Sequence, residues 1–483
     1  MSPPNPISSP VSGEFPPEFV WGAASSAYQI EGAADIDGRA PSIWDVHVHS
    51  KDGAYQQHTG DVACDHYHRY AEDVGHMHRL GLGAYRFSIS WPRVLPQGVG
   101  AVNEPGLDFY DRLVDALLAA DIDPYVTLYH WDLPYALQLR GGWMNRQIAD
   151  WFAEYTGVIV DRLSDRVTNW MTLNEPQIFL GGGPGAAWSV ASVRPTLKER
   201  LLSVHHCLLA HGDACEVIRA RAKKPPKVGW AIVGVNWFPT DNDDERSVSL
   251  ARERTLGVPN ADLWNTAWYM DPVVHGRYPA EGLVRFGDDA PAVQPGDMER
   301  IHQKQDFVGL NVYHGLPGSA DDEGAWVDEP EAQGRPRTAL DWTMTPGSLY
   351  WCPRYVHEGY GTPVYITEHG LSNTDWVALD GRVRDTARID FTRRYLMELR
   401  RAASDGVDVR GYFHWSILDN FEWGQGYKER FGLIHVDYAT QKRTPKDSYH
   451  WYARVIATHG AHLDEQDYDG AGSLAPAAQE ALP

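Results

Sequence analysis

Short apolar or β-branched runs recur along the chain, and each one runs directly into polar or aromatic residues. They are FVWGAASSAYQIEG (19–32), AYRFSISW (84–91), PYVTLYHWDLP (124–134), NWMTLNEP (169–176), VGWAIVGVNW (228–237), DFVGLNVYH (306–314), PVYITEHG (363–370) and VRGYFHWSILDN (409–420). Continuous apolar runs of this kind suit strands buried on both faces, as in a parallel sheet. The intervening segments, such as DHYHRYAEDVGHMHRLG (65–81), LDFYDRLVDALLAA (107–120) and TARIDFTRRYLMELRRAA (386–403), are long enough for helices. A right-handed crossover between parallel strands requires such a helix.

Eight strands alternating with helices predict an α/β fold, a single (β/α)8 TIM barrel, in which chemistry sits at the carboxyl ends of the strands. No Gly/Ser- or Pro-rich linker and no fixed-period repeat divides the 483 residues, so one domain is expected over 16–462. The Pro/Ser-rich residues 1–15 and the acidic, Ala-rich residues 463–483 read as disordered tails with too little apolar surface to order themselves.

Charge narrows the partners. With 43 basic and 65 acidic residues the formal charge is −22, a balance that repels nucleic acid and anionic membranes. The N-terminal segment has neither a basic start nor an apolar core, and no run is long enough to span a bilayer. Four cysteines without a CxxC pair read as buried free thiols, and the expected compartment is a reducing cytoplasm. The chain also carries 19 tryptophans and 24 tyrosines, flat rings of the kind that stack on sugar faces as well as filling cores.

Two glutamates then stand out. TLNEP ends one predicted strand with Glu175 and YITEHG ends another with Glu368. Glycosidic hydrolysis needs two carboxyl groups flanking the anomeric carbon, roughly 5–5.5 Å apart for retention or 6.5–9.5 Å for inversion. One glutamate after a strand is ordinarily a loop residue in an ion pair. Two at matched strand ends favour catalysis.

NWMTLNEP, PVYITEHG and AYRFSISWPR (84–93) resemble the signatures of family-1 glycoside hydrolases, the β-glucosidase family. The resemblance extends from FPPEFVWGAASSAYQIEGA (15–33) to FHWSILDNFEWGQGYKERFGLIHVDY (413–438) and RTPKDSYHWY (443–452). It implies a retaining β-glycosidase of the double-displacement type that removes terminal β-D-glucosyl and related residues from oligosaccharides or from aryl and alkyl glycosides. Glu368 matches the nucleophile and Glu175 the acid/base. Arg86, Asn311 and Tyr313 match the residues that support the nucleophile. Gln29, His130, Trp131, Asn174, Glu422 and Trp423 match the glycone wall, Trp415 its stacking floor and Trp342 a platform for the leaving group. No cofactor or metal is implied; the partner is a small β-glycoside or short oligosaccharide, and the sequence leaves monomer and homo-oligomer both open.

The chain departs from the family pattern beside the nucleophile, where TEHG places His369, and at NVYH, where Val312 and His314 differ. Histidine can gain charge near neutral pH, so these positions leave the pH optimum and the finer shape of the pocket open. Histidines at metal-like spacings (His47/His49, His66/His68, His76/His78, His205/His206) lack an HExxH or CxxC companion and read as surface or core residues. The GGGPG string (181–185) lacks the ending of a phosphate cradle and reads as a turn. Two rivals share the fold. A 6-phospho-β-glycosidase is disfavoured by a carboxylate at 422, and a non-catalytic carbohydrate-binding protein by the presence of both glutamates.

Overall fold

The computed structural model describes residues 13–181, 194–330 and 333–465. Its centre is a closed barrel of eight parallel strands: β1 (Val20–Ala24), β2 (Ala84–Ser88), β3 (Asp123–Tyr129), β4 (Asn169–Asn174), β5 (Lys227–Val233), β6 (Val308–Asn311), β7 (Val364–His369) and β8 (Val409–Trp415). Neighbours in the barrel are neighbours in sequence, and β8 closes onto β1 with Val20 opposite Gly411 and Ala24 opposite Trp415.

Every strand matches one of the eight apolar runs to within one residue at its start, because each is buried twice. One set of side chains, including Tyr125, Met171, Phe307, Tyr365 and Phe413, fills the barrel interior. The alternate set packs outward against the helices in one continuous core. The predicted helices form as His66–Leu80, Glu104–Ala119 and Thr386–Ser404. The first stops at Gly81, whose φ of 82° lets its N–H return to the carbonyls of Met77 and His78. The long helix Leu197–Arg221 starts from a capping box in which Thr196 and Glu199 satisfy each other's backbone N–H groups.

Two register slips bear on function. Between Met171 and Asn174, β4 advances three residues while β5 advances two. Between Ile366 and Glu368, β7 advances two while β6 advances one. An extra residue in one strand turns the following side chain away from its expected direction. Both slips immediately precede the two candidate glutamates.

At each end the ordered body reaches slightly past the expected limits. Phe15, assigned to the N-terminal tail, is buried, with its ring 4.3 Å from Phe19 and 5.1 Å from Trp21. Leu463, assigned to the C-terminal tail, is buried, and Asp464 accepts from Arg400 at 2.6 Å. The rest of both expected tails (1–12 and 466–483) lies outside the described residues, as do residues 182–185 of the glycine-rich string. All four cysteines are buried and free. His66 pairs with Asp73, and His205 bridges Tyr278 and Asp297, so these histidines are structural.

Candidate active site

The carboxyl ends of the strands open into a cavity of about 490 Å³ whose wall contains Glu175, Glu368 and Glu422. Of the residues expected from the sequence, His130, Trp131, Asn311, Tyr313, Trp342, Trp415 and Trp423 also line it. Arg86, Asn174 and Gln29 are buried immediately behind.

Arg86, on β2, organises the floor. Its guanidinium donates to Glu368 Oε1 at 2.7 Å, to Asn174 Oδ1 at 2.6 Å, to the Thr367 carbonyl at 3.1 Å and to Thr127 Oγ1 at 3.1 Å. Tyr313 donates its hydroxyl to Glu368 Oε2 at 3.0 Å. Both oxygens of Glu368 are therefore held by donors, one of them cationic. Such contacts favour a carboxylate and fix its direction.

Glu175 is held differently. Asn311 Nδ2 donates to Glu175 Oε1 at 2.9 Å and to Asn174 Oδ1 at 3.0 Å, while Thr367 Oγ1 donates to Asn311 Oδ1 at 2.7 Å. Among the described residues one neutral amide is the hydrogen-bond donor to this carboxyl, and no cation bonds it. The two glutamates are thus joined through Asn311, Asn174 and Arg86, with the donors concentrated on Glu368.

The electrostatics follow the donors. Burial and the charge of Glu368 push Glu175 up to about 8. Burial raises Glu368 as well, but Arg86 and Tyr313 act against it. When two buried carboxyls compete for a proton, it resides on the one with the weaker donors, here Glu175. Glu422 is pushed up to about 8 by burial and by the charges of Glu368 and Glu429.

Three lining residues adopt left-handed backbone conformations: Glu175 (φ 52°), Trp131 (φ 80°) and Trp423 (φ 47°). Non-glycine residues rarely occupy this region, and strain of this kind is retained where geometry matters. Close approach also explains the glycine of TEHG. A Cβ on Gly370 would lie 1.8 Å from the Trp415 carbonyl oxygen, so only glycine lets β8 end beside Glu368.

The remaining wall is aromatic and hydrogen-bonded from behind. The His130 ring stacks with Trp415 (5.7 Å, 21°) and Trp423 (5.9 Å, 20°), and Trp131 lies 4.6 Å from Trp423. Asn174 Nδ2 donates to His130 Nε2 at 3.1 Å, leaving the imidazole proton on Nδ1. Burial and Arg86 hold this histidine neutral. Gln29 Nε2 donates to the Phe421 carbonyl at 2.9 Å and reaches Glu422 Oε2 at 3.4 Å. Gln29 and Asn174 are fully buried directly behind Glu422 and His130.

His369 is not among the residues that line the cavity. Its ring is fully buried, stacked on Phe391 at 5.1 Å and 9°, and accepts or donates at 2.9 Å with the Tyr412 hydroxyl. Burial drives it down to about 3, so it stays neutral through the range in which an enzyme of this kind works. His314 lines the cavity and is likewise lowered by burial. Sequence reasoning missed Trp264, Leu316 and Phe431 as lining residues. The first two lie outside every motif, and the third carries no catalytic atom that would mark it.

A family model described as Glycosyl hydrolase family 1 matches residues 11–461. Beta-glucosidase A of Thermotoga maritima is 42% identical over 448 residues, which are 92% of this chain and 98% of that protein. A Bifidobacterium breve protein named bifunctional beta-D-glucosidase/beta-D-fucosidase is 39% identical over 478 residues, 92% of this chain and 99% of its own. The solved structure of the Thermotoga maritima beta-glucosidase in complex with glucoimidazole aligns with a TM-score of 0.84 at 42% identity, covering 93% of this chain and all of that one (100%).

Proposed function

The chain belongs to glycosyl hydrolase family 1 and is a retaining β-glycosidase, and from that premise we propose that Glu368 is its nucleophile and Glu175 its acid/base. The unequal donors on the two carboxyls carry this assignment. Arg86 and Tyr313 keep Glu368 ionised and aimed, whereas the single amide on Glu175 leaves that group with the proton.

In the first step Glu368 attacks the anomeric carbon while Glu175 gives its proton to the departing glycosidic oxygen. Forming the ester removes the negative charge on Glu368. Glu175 then ionises more readily and takes a proton from water as that water attacks the glycosyl-enzyme, which regenerates Glu368 and the original proton on Glu175. Two inversions give net retention.

Gln29, His130, Trp131, Asn174, Trp415, Glu422 and Trp423 form the proposed glycone site, in which Gln29 also reaches Glu422 and Asn174 also donates to His130, and Trp342 is the proposed platform for the leaving group. The substrates are terminal β-D-glucosides and related glycosides. A 6-phosphoglycoside is disfavoured because the described cavity lining contributes no lysine or arginine to take a phosphate. A reducing cytoplasm is the proposed compartment, supported by four buried, unpaired thiols; no helix among the described residues is long and apolar enough to cross a membrane.

Azide tests the roles. Glu368→Ala supplied with azide should release the α-glucosyl azide, because the anion replaces the nucleophile and only one inversion occurs. Glu175→Ala should give the β-azide, from attack on the glycosyl-enzyme. The reverse stereochemistry would exchange the two assignments.

A further inference from the structure

The register slip in β4 sends two consecutive side chains to the outside of the barrel. Met171 fills the interior and Asn174 turns to Arg86, but Leu173 packs in the outer core and Thr172 bonds a residue on the surrounding helix layer. Paired outward residues are what an extra residue in a strand produces. The strand then ends on Glu175, whose φ of 52° persists only where neighbours over-determine it.

The residue that meets Thr172 is His211, on the long helix Leu197–Arg221. Its Nδ1 lies 2.6 Å from Thr172 Oγ1, and its ring stacks on Trp230 of β5 at 4.6 Å and 27°. Gln305, just before β6, donates Nε2 to His211 Nε2 at 3.0 Å and to the Gln303 carbonyl at 3.0 Å, which fixes the direction of the amide. With Nε2 accepting, the imidazole proton sits on Nδ1 and is donated to Thr172. Burial keeps the ring neutral, lowered to about 3. One ring thus ties the slipped residues of β4 to β5 and to the chain entering β6. Trp230 lies between Gly229 and Ala231, the β5 residues paired on either side of the slip, and Glu175 donates its N–H to the Ala231 carbonyl at 2.8 Å.

Resting on the acid/base reading of Glu175, we propose that His211 is a positioning residue: its bond to Thr172 holds the β4 slip in the register that aims Glu175 at the glycosidic oxygen. A small error of aim there is expensive, because proton transfer demands hydrogen-bond reach.

The test uses Thr172→Val, which removes the acceptor and keeps the shape, and His211→Phe, which removes the donor and keeps a ring on Trp230. Methyl β-D-glucoside needs a proton on its leaving oxygen, whereas 2,4-dinitrophenyl β-D-glucoside departs without one. In each variant kcat/KM should fall by roughly 10- to 100-fold for the methyl substrate and by less than about 3-fold for the dinitrophenyl one. Azide should raise kcat on the dinitrophenyl substrate in both, since that anion needs no general base. Thr172→Ser keeps the hydroxyl and should keep the parent ratio between substrates. Partial unfolding lowers both substrates together, so the ratio reads aim alone, and the two Thr172 variants decide the matter if His211→Phe does not fold. Glu175→Ala is the reference. If it separates the substrates while Thr172→Val does not, or if Thr172→Ser separates them as strongly as Thr172→Val, the proposal is overturned and the acid/base reading stands. If Glu175→Ala does not separate them, both are overturned.

Discussion

Two clusters of buried charge lie near the carboxyl ends of β7 and β8, and they are balanced in opposite ways. In the first, Asp375, Asp385 and Asp419 meet Arg388, Lys446 and Arg430. Lys446 Nζ bonds Asp375 at 2.5 Å and Asp419 at 2.7 Å, Arg388 pairs with Asp375 at 2.7 Å and also with Asp385, and Arg430 reaches Asp419 at 2.7 Å. In the second, Glu175, Glu368 and Glu422 share the cavity wall, and the cation bonded among them is Arg86. Burial pushes carboxyls up in both places. In the first cluster Arg388 and Lys446 outweigh it and hold Asp375 well below the usual carboxylate range. In the second the compensation is deliberately short by two charges, and Glu175 and Glu422 rise. Full pairing yields a rigid support for the strand ends. Incomplete pairing yields a proton that can move, which acid/base catalysis requires.

Removing the one cation of the catalytic cluster should have the largest effect. Arg86→Met leaves Glu368 without its charge-assisted donor, and kcat/KM should fall by on the order of 10³-fold, the scale on which a single aimed electrostatic donor acts. Arg86→Lys should not restore it, because one ammonium cannot reach Glu368, Asn174 and the Thr367 carbonyl together. Steady-state kinetics on folded protein, with folding checked by circular dichroism, decides it. Activity within 10-fold of the parent would show that burial alone sets the two carboxyls.

The structural cluster should fail in the other currency. Lys446→Met leaves Asp375 and Asp419 sharing two cations where there were three, and breaking a buried pair in this way costs about 3–5 kcal/mol. Denaturant unfolding measures the loss, which should grow as Asp375 ionises. Because its folded pKa is depressed, the stability it contributes is present above the unfolded value near 4 and disappears as pH falls through the folded one.

Site carboxyls have the reverse sign. Their folded pKa values near 8 lie above the unfolded value of 4.5, so their contribution is fully present below 4.5 and is lost as pH rises toward 8. Glu175→Gln, which keeps the shape and removes the titration, should therefore stabilise the fold by about 1–3 kcal/mol at pH 8 and by little at pH 4. In the parent enzyme the same ionisation should make kcat/KM fall above pH 8, once Glu175 can no longer give a proton. A Glu175→Gln variant no more stable than the parent at pH 8 would remove the second half of the comparison.

How much of this could be read from sequence depends on what each residue's position required. The eight strands were legible because burial on both faces writes a continuous apolar run, and the ends TLNEP and TEHG mark where those runs meet the cavity. The three-stranded sheet beside the barrel (Trp237–Pro239, Leu316–Ala320, Trp326–Asp328) was not, since its strands are short and interrupted by proline and glycine. Nor were the register slips in β4 and β7, which arise from pairing between strands and leave no periodic trace. Trp264 and Leu316 reach the cavity only through the path of their loops, and nothing in their local sequence separates them from ordinary core residues. His369 shows the limit most directly, because its chemistry is decided by neighbours distant in sequence: Phe391, Tyr395 and Tyr412.

That histidine gives the smallest expected effect and the finest check on where the two clusters divide. It follows Glu368 by one residue, yet its ring points into the aromatic layer behind β7, where burial keeps it neutral, pushed down to about 3. A side chain uncharged at pH 5 and at pH 8 cannot shape activity between them. His369→Asn should therefore move both limbs of the kcat/KM profile by no more than about 0.3 pH unit, while the lost stacking on Phe391 and Tyr395 costs roughly 1 kcal/mol of stability. A profile displaced by a full unit would mean that His369 carries charge beside the nucleophile. The catalytic cluster would then contain a second cation, and its shortage of positive charge would have to be redrawn.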